Sequence, residues 1–385
     1  ADDGRAVPIQ AGARLTGRLS TGTNIGAIVM RTDDVSGLPG SDYGVFRVRQ
    51  NIFAGSDIGG IVMTRDVRET GPLGDDYNRV YGADANLRLP GNIDWSTYLV
   101  GTESPGFDDG QYAWRSSLNR EGNFAHIKFG AMELGENFRD DLGFFRRTGA
   151  RKYFVDFGLR PRPQSFQKAG VREMHPHIVW DFYEDLQGRM VAKKLHSGYT
   201  FFMNDGGFWE VSVNPASERI EAPFRISGDI DPIPSGSYNW VEYQLRGNTD
   251  PSQAVSGGFT AITGGLWSGK QRTVNASLTL RPSYKFFLEA SLQRTHAELD
   301  LPDDEFTRTF WTFRTNYSFN TNMFIDGLVQ YDPSSKRMNT NVRFNLIHRP
   351  LSDIFVVFNE QRFNTGEAIS PGRGLTIKGT YMMAF

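Results

Sequence analysis

The chain has 385 residues, of which 42 are basic and 44 acidic, so its net charge of −2 gives no reason to expect nucleic acid as a partner. It contains no cysteine, which excludes a disulfide framework, a thiolate metal site and a cysteine nucleophile. No apolar run approaches the roughly 18 residues that a membrane-spanning helix needs. A transmembrane β-barrel remains possible, because its strands need only about 9 to 11 residues with every second one apolar.

Segments in which apolar and polar residues alternate follow one another from Ala13 to the end of the chain. This period of two is typical of β-strands, and no segment shows the 3.6-residue period of a helix. The predicted strands are 14–19, 25–30, 45–53, 58–65, 77–89, 93–103, 111–120, 123–134, 151–160, 176–185, 190–203, 207–214, 237–249, 254–267, 271–281, 284–297, 306–319, 322–331, 337–349, 353–363 and 374–385. We therefore predict an all-β fold.

Short turns alternate with longer polar links along this series. Pro90-Gly91-Asn92 is a short turn, whereas 104–110 and 135–149 are long, and 215–236 is the longest segment without a pattern. Such asymmetry is characteristic of outer-membrane barrels. The sequence thus predicts a large closed antiparallel transmembrane β-barrel of about 20–22 strands or more, forming a single domain over residues 1–385. Bacterial barrels normally have an even number of strands. Either one of the 21 assignments is wrong, or a strand lies upstream of Ala1.

The length of the alternating strands distinguishes a lipid-embedded barrel from a soluble sandwich. In 306–319, Trp311, Phe313 and Tyr317 oppose Thr312 and Arg314. A sandwich shows the same alternation, but its strands are usually nearer 5 or 6 residues, so the long strands favour the barrel. A lumen bounded by about 20 strands is too wide for side chains to fill, so it holds water, infolded loops or another protein.

Basic residues near the 135–149 link are the candidate functional residues. They permit two interpretations: an anion-attracting mouth or constriction, or a solvated loop that meets lipopolysaccharide phosphates. With two arginines from the polar faces, the candidates for the lumen or its mouth are Arg146, Arg147, Arg151, Lys152, Arg314 and Arg343.

Catalytic and metal-binding patterns are weak. His175-Pro176-His177 is the one histidine pair with ligand-like spacing, but no carboxylate pattern accompanies it and the proline indicates a turn. No G-x-S-x-G elbow is present. We predict no metal, no cofactor and no enzymatic activity, with an outer-membrane hydrolase as a remaining alternative.

The last stretch, 374–385 (GLTIKGTYMMAF), alternates up to a terminal aromatic residue. It resembles the closing strand of bacterial outer-membrane barrels, whose terminal aromatic strand is read by the barrel assembly machinery. The resemblance implies that Tyr381, Met383 and Phe385 form this assembly signal, although Met383 stands where an aromatic residue is commoner.

Several stretches together resemble one family: the C-terminal outer-membrane barrel domain, of unassigned function, in bacterial proteins with an N-terminal domain like carbohydrate-binding family 9. The matching stretches are 9–17 (IQAGARLTG), 78–89 (NRVYGADANLRL), 135–147 (GENFRDDLGFFRR), 159–163 (LRPRP), 317–331 and 349–362 (RPLSDIFVVFNEQR). The resemblance implies a barrel preceded by a periplasmic domain. The chain begins ADDGRAVPIQ without a methionine or signal peptide, so we expect a processed or truncated product that lacks this domain.

Two functional hypotheses follow. The first is a bacterial outer-membrane channel or transporter for hydrophilic solutes, carbohydrates among them. The alternative is a plugged barrel that anchors a periplasmic domain or serves as a scaffold in a larger complex. Expected partners are outer-membrane lipid and lipopolysaccharide, the barrel assembly machinery, and a periplasmic or outer-membrane partner protein.

Overall fold

The computed structural model describes residues 7–19, 22–35, 38–68, 76–145, 147–226, 230–302, 305–363 and 372–382. This part of the chain forms 21 strands in one antiparallel sheet, together with a single helix of four residues. Among these residues, no helix is both long enough and apolar enough to cross a bilayer.

The strands are 8 to 16 residues long. In chain order the elements are β1 (Ile9–Arg18), β2 (Thr23–Thr32), β3 (Ser41–Ile52), β4 (Ser56–Val67), β5 (Tyr77–Leu89), β6 (Ile93–Glu103), β7 (Tyr112–Glu121), β8 (Ala125–Leu134), β9 (Ala150–Leu159), α1 (Gln164–Gln167), β10 (Val171–Asp185), β11 (Met190–Met203), β12 (Phe208–Ile220), β13 (Gly236–Asn248), β14 (Val255–Leu266), β15 (Gly269–Ser283), β16 (Phe286–Glu298), β17 (Glu305–Asn320), β18 (Met323–Asp332), β19 (Arg337–Arg349), β20 (Ser352–Phe363) and β21 (Gly372–Gly379).

The predicted all-β fold is confirmed, and each predicted strand has a counterpart in this series. Two boundaries set at prolines were wrong. Pro176 lies inside β10 and is not in a turn, and β12 continues through Pro215 to Ile220. Pro215 stands opposite Val241 in the register with β13. A proline removes one backbone donor but its fixed φ is compatible with extended backbone, so these strands continue through it.

The chain forms two compact units, Ala1–Leu159 with Ile178–Lys194, and Arg160–His177 with Leu195–Phe385. In the first unit, short connections at 19–22, 53–55, 90–92 and 122–124 alternate with long ones at 33–40, 68–76, 104–111 and 135–149. In the second unit, the last strand, β21, pairs only with β20 among the described residues. In the first unit, the first strand, β1, pairs only with β2 among the described residues.

Strands β12 and β13 of the second unit show which side chains the sheet buries. Their register places Val211 opposite Leu245 and Glu210 opposite Arg246. Val211 is 53 % exposed and Leu245 is 41 % exposed, whereas Glu210 is 1 % exposed. In a sheet surrounded by water the polar face is the exposed one. Here the apolar face is exposed and the polar face is buried.

The first unit has the same inverted pattern. Leu99 of β6 is 60 % exposed and Phe46 of β3 is 51 % exposed, while Asn78 of β5 is 2 % exposed. Apolar cores are small in both units. One contains Ala113, Leu134 and Phe138 in the first unit; the other contains Ile220, Ile230, Ile233 and Leu299 in the second. Three members of the second core, Ile220, Ile230 and Ile233, come from 215–236, the longest segment without an alternating pattern.

Candidate functional site

The long link between β8 and β9, residues 135–149, packs on the polar face of the first unit. Phe138 is 5 % exposed and belongs to the apolar cluster of Ala113 and Leu134. Its ring meets that of Phe145 edge to face, with the ring centroids 4.8 Å apart. Phe144, in the same link, is 83 % exposed. The rings of Phe138 and Phe145 therefore anchor the link, whereas the ring of Phe144 does not.

Hydrogen bonds and ion pairs hold the same link. The Asn78 amide donates to the backbone oxygen of Arg139 at 2.8 Å and accepts from the backbone N–H of Asp141 at 3.0 Å. Arg65 donates to the carboxylate of Asp141 at 2.5 Å, and Arg139 donates to Asp76 at 3.1 Å. Because Asn78 is buried, these two hydrogen bonds satisfy a polar group that would otherwise destabilise the fold.

A cavity of about 380 Å³ lies on this face, lined in part by Arg47, Asp84, Phe138 and Asp140. Arg47 of β3 reaches across β4 to Asp84 of β5, with Nη2 to Oδ1 at 2.9 Å. The intervening Gly59 permits this contact, since a Cβ there would lie 2.9 Å from Nη2. Burial raises the pKa of Asp140, although backbone N–H groups of Leu142 and Gly143 oppose the shift. The cavity thus combines an ion pair with a carboxyl group that binds its proton more tightly than usual.

Two of the predicted basic residues of the first unit, Arg151 and Lys152, are paired with carboxylates. Arg151 donates to Glu133 and lies 3.7 Å from Glu184, and the Lys152 ammonium lies 2.7 Å from Asp181. Arg147 is exposed, and Arg146 lies outside the described residues. The described part of this cluster therefore carries charges of both signs.

The predicted arginines of the second unit lie on β17 and β19. Arg343 donates to Asp326 of β18 at 2.8 Å, and Asn316 donates to the other oxygen of that carboxylate at 2.8 Å. Arg314 is exposed and stands opposite Glu289 in the register of β16 and β17. Charges of opposite sign thus alternate across neighbouring strands here as well.

Part of the predicted assembly signal is described. Tyr381 follows β21, is 60 % exposed and accepts a hydrogen bond from Arg349 at 2.9 Å. Met383 and Phe385 lie outside the described residues.

A second site, in the second unit, brings together residues that the sequence did not connect. The Nε2 atoms of His177 on β10 and His196 on β11 are 3.0 Å apart. Glu210 of β12 lies beside them, with Oε1 3.6 Å from His196 Nε2 and Oε2 3.9 Å from His177 Nε2. We call these three residues the His–Glu cluster.

The His–Glu cluster is held by a second layer of polar groups. Arg246 donates to both oxygens of Glu210, from Nε at 2.8 Å and from Nη2 at 2.6 Å. Thr200 donates to Oε2 of the same carboxylate at 2.8 Å. Each partner is one strand away, so the register of β11, β12 and β13 positions them. The carboxylate is buried but its charge is compensated.

In the sequence, His175 and His177 are the one histidine pair with ligand-like spacing. The structure keeps their rings stacked, with ring planes 11° apart and centroids at 4.6 Å. His177 alone of the two joins a group that could hold a metal ion, together with His196 and Glu210 from two other strands. The missing signal was strand register: the short 204–207 connection places Thr200 beside Glu210 and His196 beside Asn214.

No protein-family model matches the chain, and no curated protein sequence matches it.

Proposed function

We propose that the chain is an outer-membrane β-barrel whose polar face lines a path for hydrophilic solutes. The observation that carries this proposal is the inverted burial of the strands. Val211, Tyr243 and Val274 are each about half exposed, with relative exposures of 53 %, 55 % and 47 %, while Glu210 is 1 % exposed. Exposed apolar residues on every second position are unfavourable in water and favourable against lipid.

Strand length and the antiparallel connectivity also support a position in the lipid bilayer. Strands of 10 to 16 residues, such as β7 and β17, are long enough to cross the hydrocarbon core. A bilayer supplies no hydrogen-bond partners, so a spanning sheet must close on itself. The resemblance of 135–147 and 349–362 to a barrel family agrees with this proposal.

The charges on the polar face suggest the class of solute. Arg47 pairs with Asp84, Lys152 with Asp181 and Arg343 with Asp326. Because each of these three cations faces a carboxylate, charges of both signs lie along the face, and no single sign selects anions or cations there. Neutral polar solutes such as carbohydrates fit such a surface best.

A plugged barrel that acts as an anchor or scaffold is the second candidate. The observation that favours it is the packing of the 135–149 link on the polar face through Phe138, Arg139 and Asp141. A link held in this way narrows a lumen or closes it.

Conductance of the protein in planar lipid bilayers tests both candidates. We expect Phe138→Ala to release the link, because it removes a buried ring that contributes about 3–5 kcal/mol in a well-packed site, and so to raise the single-channel conductance several-fold. Phe144→Ala is the matched control, since that ring is 83 % exposed in the same link. It should leave the conductance unchanged.

The pattern of results separates the two functions. Steps of conductance in the unaltered protein would support a channel narrowed by the link. Conductance seen with Phe138→Ala alone would support the plugged barrel. If neither protein conducts and liposomes containing either do not swell in an uncharged sugar, the proposed transport function is wrong.

A further inference from the structure

The His–Glu cluster has the composition of a metal site. Its three potential ligand atoms lie within 4.8 Å of one another, and they come from three successive strands, β10, β11 and β12. Two imidazoles and one carboxylate form a common set of protein ligands for a transition-metal ion that keeps a fourth position open.

The hydrogen bonds of the two imidazoles determine which nitrogen atoms carry protons. His177 Nδ1 lies 3.0 Å from the backbone oxygen of His175, which can only accept, so this Nδ1 donates. His196 Nδ1 lies 2.7 Å from Asn214 Oδ1 and donates to it in the same way. A neutral imidazole has one N–H group. When both imidazoles are neutral, both Nε2 atoms therefore present a lone pair.

These two lone pairs face each other at an Nε2–Nε2 distance of 3.0 Å. Two acceptors at this distance repel unless a cation lies between or beside them. A hydrogen bond from Nδ1 to a backbone or side-chain oxygen is also how proteins usually orient a metal-binding imidazole. The cluster thus has both the inward-facing lone pairs and the outer hydrogen bonds of a metal site.

The carboxylate retains capacity for a ligand bond. Glu210 accepts two hydrogen bonds on Oε2, from Arg246 and Thr200, and one on Oε1, from Arg246. A carboxylate has about four lone-pair positions. One position on Oε1 remains, and this oxygen is the one 3.6 Å from His196 Nε2.

Gly198 leaves space at the point where the imidazoles meet. A Cβ at this position would lie 2.7 Å from His177 Nε2 and 2.8 Å from His196 Nε2. Any other residue would therefore occupy the volume beside both ligand atoms. On the same face of β12, the buried hydroxyl of Ser212 has no hydrogen-bond partner among the described residues.

We propose that His177 Nε2, His196 Nε2 and Glu210 Oε1 bind a divalent transition-metal ion, with Zn²⁺ as the best match. Zinc bonds of about 2.0–2.2 Å in tetrahedral geometry separate ligand atoms by about 3.3 Å. The separations between His177 Nε2 and His196 Nε2, 3.0 Å, and between His196 Nε2 and Glu210 Oε1, 3.6 Å, differ from this by a few tenths of an ångström. All three residues offer ligand atoms within 4.8 Å of one another. Two nitrogen ligands exclude Ca²⁺ and Mg²⁺, which prefer oxygen. The ion would link three strands on the polar face.

Metal titration of the full chain tests the proposal. The protein is freed of metal with a chelator, and Zn²⁺ is added in competition with a chromophoric chelator. We expect one equivalent to bind, and His177→Gln or His196→Gln to weaken binding at least 100-fold. Asn214→Ala, which removes the hydrogen bond to His196 Nδ1, should weaken it about 10- to 100-fold. His348→Gln is the control for surface histidines, since His348 is exposed on β19.

Co²⁺ provides an independent readout that does not depend on affinity. Bound at the cluster, it should give the visible absorption of a four-coordinate ion, and Gly198→Ala should abolish that absorption while the β-sheet circular dichroism stays unchanged. Weak binding that is the same in all variants would overturn the proposal, as would a protein that binds no Zn²⁺.

Discussion

Replacing Arg246 with methionine is expected to lower the free energy of unfolding by about 3–5 kcal/mol. Glu210 is 1 % exposed, and Arg246 donates to both of its oxygens. Without the guanidinium, the carboxylate stays buried with Thr200 as its remaining strong donor. An uncompensated buried charge is far more costly than the loss of an exposed ion pair. The measurement is denaturant unfolding of the protein in lipid vesicles, with a chelator present.

Two further variants isolate the cause. Arg343→Met removes an exposed pair, because Arg343 and Asp326 are 45 % and 35 % exposed, and should cost no more than about 1 kcal/mol. The double variant Glu210→Gln with Arg246→Met should recover most of the loss, since the buried charge is gone. If Arg246→Met and Arg343→Met cost the same, Glu210 is solvated and the buried ion pair is not a stabilising feature.

Placing an arginine on the exposed apolar face is expected to destabilise the protein strongly. Val213 lies midway along β12 and is 41 % exposed. At the centre of a bilayer, Val213→Arg should cost about 2–4 kcal/mol, whereas on a surface in water such a change stays within about 0.5 kcal/mol. The same unfolding assay measures this difference.

Depth along the strand gives the control for this variant. Trp209 lies near the beginning of β12, so Trp209→Arg should incur a smaller charge penalty than Val213→Arg, and Val213→Leu should be nearly neutral. A cost for Val213→Arg below about 0.5 kcal/mol would mean that this face is not in contact with lipid.

The strands and their faces could be predicted from the sequence because both depend on local alternation. Trp311, Phe313 and Tyr317 share a parity, and all three are exposed in the structure. The prediction was wrong at two prolines, because it treated Pro176 as a turn residue and ended a strand at 214, immediately before Pro215. Both lie within strands.

The sites depend on contacts between residues that are distant in sequence. The His–Glu cluster requires the registers of β10, β11 and β12 together, and an error of one residue would place Glu210 on the opposite face. The burial of Phe138 depends on Ala113 and Leu134, so the sequence of the 135–149 link alone does not distinguish it from the exposed Phe144. For these features the alternating pattern carries no information.

Accessibility of spin labels along β17 tests the central claim most directly, because the chain has no cysteine and each label can be introduced alone. Labels at Trp311 and Phe313 should be accessible to oxygen dissolved in the bilayer, and labels at Thr312 and Arg314 to a water-soluble nickel chelate. This two-residue alternation is the result that a lipid-facing apolar surface and a water-lined polar surface predict. Equal access of the nickel chelate to all four positions would contradict it and indicate a sheet surrounded by water.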